Sequence, residues 1–275
     1  MAARWLLVVI FFCMVNSGYV FADESKPPET KDVVGTIIGS TLGKGTKILR
    51  TEEAGKSRLP GFNQIRVWFE SPYGETPVLI YVSKDGKTYV AGSVFDAEGN
   101  NLTRADVGET KPRVIKEADM QTHSDYTIGP KDAKVKVVLW LGMDDLSRTI
   151  YETVSKIYQK NTDVMSLSLK FLPRTEQDVT RMTLVTCWKG KEAFQMYEEL
   201  KDFSPLWGTP EDLAAYFEKH GIKGEDCNPE IVKKDVQLLF DLKLPQQPLV
   251  FVNGTMVFER PTSESVGKMA GVQLR

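Results

Sequence analysis

The chain has 275 residues, and its 35 lysines and arginines nearly balance its 37 aspartates and glutamates, so its formal net charge is −2. We do not expect nucleic acid or an anionic membrane as the main partner, because both attract basic surfaces. The two histidines, His123 and His220, lie far apart without the spacing of a ligand pair, so we expect no metal and no cofactor.

Residues 1–22 have the features of a secretory signal peptide. Arg4 precedes an apolar run over residues 5–15, which is too short to span a bilayer comfortably, and a cleavage site follows at Ala22. Cleavage after Ala22 would leave an exported chain with no membrane span. An uncleaved membrane anchor is the alternative interpretation.

The cysteines also fit an exported protein. The chain after the leader keeps Cys187 and Cys227, which lie 40 positions apart. One even pair in an exported protein favours a disulfide with a structural role. Two unpaired buried thiols are the alternative. A redox-active pair is less favoured, because neither cysteine lies at a turn from a strand into a helix.

Residues 23–104 are predicted to form a small antiparallel β domain with little core of its own. Residues 23–34 are polar and read as a disordered lead-in, and residues 35–60 are compatible with a short helix and a loop. Asp85-Gly86 is typical of a hairpin turn. Three segments have the alternation or the apolar runs of strands: residues 65–70, 78–82 and 88–95.

Residues 105–127 are predicted to form a partly helical linker, with a helix over residues 113–121. Residues 128–275 are predicted to form a second domain, in which a strand–helix–strand unit precedes a helical insertion over residues 175–242. A β-hairpin and a last helix, capped by Thr262, complete the order. The predicted strands are residues 135–141, 164–172, 249–252 and 256–258, and the predicted helices before the last are residues 146–160, 179–188, 192–200, 210–220 and 229–242.

The junction between the strand 135–141 and the following helix carries Asp144, Asp145, Leu146 and Ser147. A thioredoxin-like protein normally has a Cys-x-x-Cys pair there, because the positive end of the helix stabilises a thiolate. Neither a carboxylate nor a serine hydroxyl exchanges with a disulfide, so we assign no catalytic residue to this degenerate site. The acidic pair is well suited to cap the helix, and the alternative is that it binds a cation or a basic peptide.

Pro248 lies at the second position that is characteristic of thioredoxin-like folds, directly before a buried strand. Pro248 follows Gln247 and directly precedes the apolar strand 249–252, which ends in Asn253-Gly254. Thioredoxin-like folds keep a cis-proline there, facing the strand–helix junction, so we expect a cis bond between Gln247 and Pro248. A trans-proline that simply begins a strand is the alternative.

The order of these features predicts an α+β protein. A small cystatin-like antiparallel β domain comes first, and a domain that resembles the thioredoxin fold, with a helical insertion, follows it. More narrowly, the chain resembles the bacterial DsbC/DsbG disulfide isomerases. Residues 82–96 carry the resemblance in the first domain, and residues 129–261 carry it in the second. It implies a periplasmic homodimer, in which the N-terminal domains pair and the thioredoxin-like domains bind unfolded polypeptide in a cleft.

The resemblance also assigns roles to single residues. It implies that Cys187 and Cys227 form the family's structural disulfide and that Pro248 is its cis-proline. The two catalytic cysteines of the family fall at Asp144 and Ser147.

The predicted function is that of a redox-inactive protein with a chaperone-like or scaffold role. Its partners would be non-native exported polypeptides or one dedicated envelope protein. A thiol:disulfide isomerase that acts through Cys187 or Cys227 is the alternative, and an accessory subunit that docks one folded protein is a third interpretation. Four aromatic residues are candidates either for a polypeptide-binding surface or for packing: Trp68, Tyr73, Trp140 and Trp207.

Overall fold

The computed structural model describes residues 30–41, 43, 45–201, 215–216, 218–219, 221 and 227–275. The predicted signal peptide 1–22, Trp207 and most of the predicted helix 210–220 lie outside the described residues. The chain divides after Lys111 into two compact units. Among the helices that the structure describes, none is long and apolar enough to cross a membrane.

The first unit is an antiparallel sheet with one helix packed on it. The helix α1 (Thr30–Thr41) places Val34, Ile37 and Ile38 on one face, and they pack against strand residues that include Val67. The strands pair in chain order, each antiparallel to the next: β1 (Ile48–Glu53), β2 (Phe62–Ser71), β3 (Gly74–Ser83) and β4 (Tyr89–Ala91). A short helix, α2 (Leu102–Val107), follows β4, and β5 (Lys111–Pro112) spans the division between the units.

This first unit confirms the predicted antiparallel β domain and differs from the prediction in three details. The helix α1 begins at Thr30, inside the segment predicted as a disordered lead-in. The strand β1 lies in the glycine- and lysine-rich stretch that was predicted as helix and loop, and β4 has only three residues. Both missed segments are ordered by contacts with the β2–β3 hairpin, which local sequence does not reveal.

The second unit confirms the predicted thioredoxin-like fold. Its sheet has the strand order β10-β9-β7-β8-β6. β7 and β8 are parallel and are joined by the helix α3 (Asp145–Lys160), whereas β9 is antiparallel to β7 and to β10. The strands are β6 (Thr127–Ile128), β7 (Val135–Leu141), β8 (Met165–Phe171), β9 (Leu249–Val252) and β10 (Thr255–Val257).

The predicted helical insertion stands between β8 and β9. Its described helices are α4 (Glu176–Val185), α5 (Gly190–Lys201) and α6 (Pro229–Asp241). The last helix, α7 (Ser263–Ala270), follows the hairpin, and the Thr262 side chain caps it through the backbone N–H of Ser265, as predicted.

The predicted helix over residues 113–121 is absent from the structure, which describes this segment throughout. Residues 113–115 are extended beside the β9–β10 hairpin, where Met256 N donates to Arg113 O at 2.9 Å and Ile115 N donates to Gly254 O at 2.8 Å. Short 3-10 helices follow at Glu117–Met120 and Ser124–Tyr126. The helix prediction was wrong because the backbone groups of residues 113–115 bond to the hairpin instead of within the segment.

The two faces of the second sheet differ in chemistry because β8 alternates strictly. Met165, Leu167, Leu169 and Phe171 belong to the apolar core that α3 covers. Ser166, Ser168 and Lys170 occupy the positions of the opposite face, and all three are buried. The sheet therefore has one apolar face and one face that carries buried polar groups.

A buried ion pair lies on the polar face. Lys170 Nζ donates to Asp235 Oδ1 of α6 at 2.5 Å, and Asp235 Oδ2 accepts from the backbone N–H of Phe171 at 3.0 Å. Burial raises the pKa of the Asp235 carboxyl, and the neighbouring Lys170 ammonium opposes that shift. These bonds attach α6 to β8. Removing either partner would destabilise the fold, because it would leave an unpaired buried charge.

Trp140 and Trp68 are packing residues in this structure. Trp140 is fully buried, and its ring lies 5.2 Å from the Lys170 ammonium. Trp68 is also buried and stacks under the Arg50 guanidinium. The interpretation of these two residues as a polypeptide-binding surface was wrong, because the alternation of a strand gives the face of a residue but not what covers that face.

Candidate functional site

The candidate site lies at the carboxyl end of β7, where α3 begins. Asp144 is the N-cap residue of α3. In the antiparallel pair of β7 and β9, Trp140 stands opposite Leu249, so the residues that precede β9 lie beside the end of β7. The fold thus brings the start of α3 and the Gln247–Pro248 segment to the same edge of the sheet.

Asp144 and Ser147 form a closed hydrogen-bond network at the start of α3. Asp144 Oδ1 accepts from the backbone N–H of Ser147 at 2.9 Å, and the Ser147 hydroxyl donates to Asp144 Oδ2 at 3.2 Å. The same hydroxyl accepts from the backbone N–H of Gly142 at 2.8 Å, and Ser147 is 0% exposed. Ser147 therefore acts as a structural group whose donor and acceptor are both in use.

The turn before the cap is held by a buried tyrosine. Tyr197 of α5 donates its hydroxyl to Gly142 O at 2.6 Å. Burial raises the pKa of Tyr197 well above its ordinary value, so the hydroxyl stays protonated and remains a donor. A Cβ on Gly142 would lie 2.8 Å from Asp144 Oδ2 and 3.1 Å from Leu172 O, so a larger residue here would displace the Asp144 carboxylate.

The other residues of the predicted site face solvent. The side chain of Asp145 is 97% exposed, and Arg148 one turn later is 3.8 Å from it. Leu146 is 54% exposed, which is unusual for a large apolar side chain. Of the two carboxylates, only Asp144 is built into the fold, and Asp145 and Leu146 remain accessible.

An arginine links the cap to a neighbouring cleft. Arg174, which follows β8, places its Nη1 atom 3.6 Å from Asp144 Oδ2. The pair is partly exposed, so it contributes little to stability. Arg174 and Gln247 both line a cleft of about 550 Å³, whose other lining residues are Leu172, Pro173, Val236, Leu239, Phe240 and Gln246.

The predicted cis-proline is absent. None of the peptide bonds that the structure describes is cis, so the bond between Gln247 and Pro248 is trans. The trans form is the intrinsically preferred one by about 0.5–1 kcal/mol. The preceding loop already closes with Gln247 N donating to Pro245 O at 2.9 Å, and Pro248 is buried at the start of β9. The alternative interpretation, a trans-proline that begins a strand, is correct.

Cys187 and Cys227 form a disulfide with an S–S distance of 2.04 Å. Cys187 follows α4, and Cys227 precedes Asn228, the N-cap of α6. Since an α-helix rises about 1.5 Å per residue, Asn228 is separated by about 18 Å along α6 from Phe240, which lines the cleft. The disulfide therefore joins helix ends that lie away from the cleft.

Sequence reasoning missed Arg174, Phe240 and Tyr197. Arg174 could have been found, because it follows a parallel strand at the edge where β7 also ends. Phe240 and Tyr197 lie inside helices of the insertion, whose placement over the sheet has no local sequence signal. Among the described residues, no three His, Cys, Asp or Glu side chains are grouped closely enough to hold a metal ion.

Comparison with known proteins finds one family model that is similar to the first part of the chain. Residues 21–104 match the family model described as the disulfide bond isomerase protein N-terminal domain. This match confirms the predicted resemblance over that part of the chain. No curated protein matches the chain by sequence similarity.

Several solved structures resemble the chain over slightly more than half its length. Wolbachia pipientis alpha-DsbA1 is 14% identical, with 54% of this chain and 91% of that chain covered and a TM-score of 0.45. Oxidised BdbD from Bacillus subtilis is 17% identical, with 54% and 91% covered and a TM-score of 0.41. A periplasmic thioredoxin-like protein from Salmonella enterica serovar Typhimurium is 18% identical, with 57% and 98% covered and a TM-score of 0.42. At these identities and TM-scores no activity is carried over to this chain.

The two aspartates provide a matched test of the cap. Asp144→Ala should lower the free energy of unfolding by about 1 kcal/mol, because it removes the side-chain acceptor at the N-cap. Asp145→Ala should change it by less than about 0.5 kcal/mol, because an exposed side chain away from such features contributes little. Urea unfolding of both variants measures the difference. Equal effects, or a more stable Asp144→Ala protein, would contradict the capping role of Asp144.

Proposed function

Residues 21–104 match the N-terminal domain of disulfide bond isomerases, and from this premise we propose that the chain binds polypeptides without exchanging disulfides. The single observation that carries the proposal is the network at the start of α3. There the positions that the resemblance assigns to the family's catalytic cysteines hold Asp144, which caps the helix, and Ser147, which is fully buried and hydrogen-bonded. Neither side chain supplies a thiolate.

The position of the remaining cysteines supports the same proposal. Cys187 and Cys227 are paired with each other, so neither carries a free thiol in this state. They join the ends of α4 and α6 that lie away from the Phe240 end of the cleft. We infer a structural role for this disulfide. In the chain-entropy model, closing a loop of this length stabilises the fold by roughly 4 kcal/mol.

The cleft next to the cap supports polypeptide binding. Leu172, Val236 and Leu239 give it an apolar wall, and Phe240 is 51% exposed. Gln246 is exposed and lines the same cleft, and its carboxamide can both donate to and accept from a backbone. An exposed apolar surface beside hydrogen-bonding groups fits an extended chain with apolar side chains, such as a non-native polypeptide.

We further propose that the protein acts in the periplasm after cleavage at Ala22. This part of the proposal is supported by the apolar run over residues 5–15 and by the pairing of the two later cysteines, which is typical of an oxidising compartment. The clients would then be non-native exported polypeptides. One dedicated envelope protein is the narrower version of the same proposal.

Client binding can be tested at the cleft with two phenylalanines. Phe240→Ser should weaken binding of a denatured client by about tenfold, because an exposed phenylalanine that becomes buried contributes on that scale. Phe258→Ser is the matched control, since Phe258 is 44% exposed and does not line the cleft. Suppression of light scattering from a denatured client, measured over a range of protein concentrations, gives both effects.

The outcomes of this experiment separate the interpretations. Wild-type protein that suppresses aggregation of several unrelated clients supports the chaperone-like role. Equal activity of Phe240→Ser and wild type would remove the cleft from the proposal. If no client is protected and a pulldown recovers one folded envelope protein, the narrower scaffold role is the correct one.

Redox inactivity is tested by restoring the missing pair. The wild-type protein should not accelerate insulin reduction by dithiothreitol, whereas the double variant Asp144→Cys, Ser147→Cys should accelerate it measurably, because the start of α3 stabilises a thiolate. The variant shows that the assay can detect activity at this position. Wild-type activity that disappears in Cys187→Ser would instead establish the thiol:disulfide isomerase alternative.

We propose that the first unit mediates homodimerisation. The support is the family match over residues 21–104 together with the position of β1 at the edge of the sheet that the described strands form, because an edge strand favours association with another strand. Light scattering at micromolar concentration should give twice the mass of the mature chain. A monomer over the whole concentration range would contradict the dimer without affecting the cleft.

A further inference from the structure

A second cavity lies on the polar face of the second sheet, and the proposed function does not use it. Its volume is about 430 Å³, which falls in the range of roughly 300–1,000 Å³ that small-molecule sites occupy. The sheet side is formed by Lys136 and Val138 of β7 and by Ser166 and Ser168 of β8. The remaining lining residues are Glu117, Met120, Thr122, Ser124, Thr127, Gly129, Pro130, Lys131 and Gly254.

The two serines on the sheet differ in a way that points to a ligand. Ser168 is 7% exposed, and its hydroxyl is hydrogen-bonded to the Thr127 hydroxyl at 2.8 Å. Ser166 is 6% exposed, and within the described part of the chain its hydroxyl has no hydrogen-bond partner. The Ser166 hydroxyl opens onto the cavity, so a group that fills the cavity can form a hydrogen bond with it.

The charges at the cavity favour an anion. Lys136 Nζ is 2.7 Å from Glu117 Oε2, so these two charges compensate each other. Lys131 also lines the cavity, and no acidic partner is present for it among the described residues. The balance over the lining residues is therefore one positive charge. Met120 and Val138, both buried, add an apolar patch between the polar groups.

Gly129 forms part of one wall of the cavity, where two backbone segments pack closely. Gly129 has a φ of +95°, and a Cβ there would lie 2.4 Å from Met165 O and 3.0 Å from Ser166 Cα. Glycine thus allows the segment before β7 to pass close to the strand that carries Ser166. The hydroxyl of Thr127 is fixed on the same wall through its bond to His123 O at 2.8 Å.

We propose that this cavity binds a small hydroxylated carboxylate. Its carboxylate would meet Lys131, a hydroxyl would bond to Ser166, and its carbon skeleton would cover Met120 and Val138. Each of these roles is carried by a residue that lines the cavity. The inference does not rest on polypeptide binding at the cleft near Asp144, and either proposal can fail without the other.

Malate, citrate and gluconate are suitable probes, each at roughly millimolar concentration, with sodium chloride at matched ionic strength as the control. At least one of them should raise the melting temperature of the mature protein by mass action, and calorimetry should give its dissociation constant. Ser166→Ala should weaken that binding by about tenfold, the scale of one lost hydrogen bond to a charged or polar ligand.

The melting temperature of the unliganded variants distinguishes a ligand group from a structural one. Ser166→Ala should not lower it, because no partner in the fold is lost. Ser168→Ala should lower it, because the bond to Thr127 is lost. Lys131→Met should weaken binding, whereas Lys134→Met, three residues later on an exposed side chain that does not line the cavity, should not.

Three outcomes would overturn the proposal. The first is that no probe raises the melting temperature above the sodium chloride control. The second is binding that is unchanged in Ser166→Ala and Lys131→Met. The third is that a short peptide with a free carboxyl terminus binds and is displaced by none of the three probes, which would assign the cavity to a polypeptide end instead of a small molecule.

Discussion

The start of α3 imposes the constraint on which the candidate site depends. A helix that begins at the edge of a sheet has unpaired backbone N–H groups and the positive end of its dipole there, so it requires an acceptor with negative charge. A thiolate meets this requirement in a disulfide exchange protein, and the Asp144 carboxylate meets it here. The electrostatic requirement of the fold is therefore satisfied without the group that performs the chemistry.

This replacement has consequences for the surrounding residues. The Ser147 hydroxyl joins Asp144 to the backbone of Gly142, and Tyr197 holds the same turn from α5. These bonds engage the side-chain oxygens of Asp144 and Ser147 within the fold. The trans peptide bond before Pro248 is consistent with a proline that simply begins a strand, which needs no special backbone geometry. Asp145, Leu146 and the cleft with Arg174 and Phe240 remain accessible at this edge of the sheet.

The sequence predicted those parts of the fold whose signals are local. The apolar run of β7, the period of α3 and the Thr262 cap gave correct elements, because each is fixed by its own residues. The helix over residues 113–121 and the cis bond at Pro248 were wrong, because both depend on which backbone groups the hairpin and the loop provide. The cap role of Asp144 was predictable from residue type, whereas Arg174 and Phe240 enter the site only through the placement of the insertion.

The alternation of β8 explains why one short strand serves two purposes. Its apolar positions complete the core beneath α3, and its polar positions, Ser166, Ser168 and Lys170, face the other side of the sheet. Lys170 forms an ion pair with Asp235 of α6, and Ser168 is hydrogen-bonded to Thr127 of β6. These two polar groups therefore help to attach α6 and β6 to β8. Ser166 is the one of the three without such a partner in the described chain, and its hydroxyl opens onto the cavity, where it is available to a ligand.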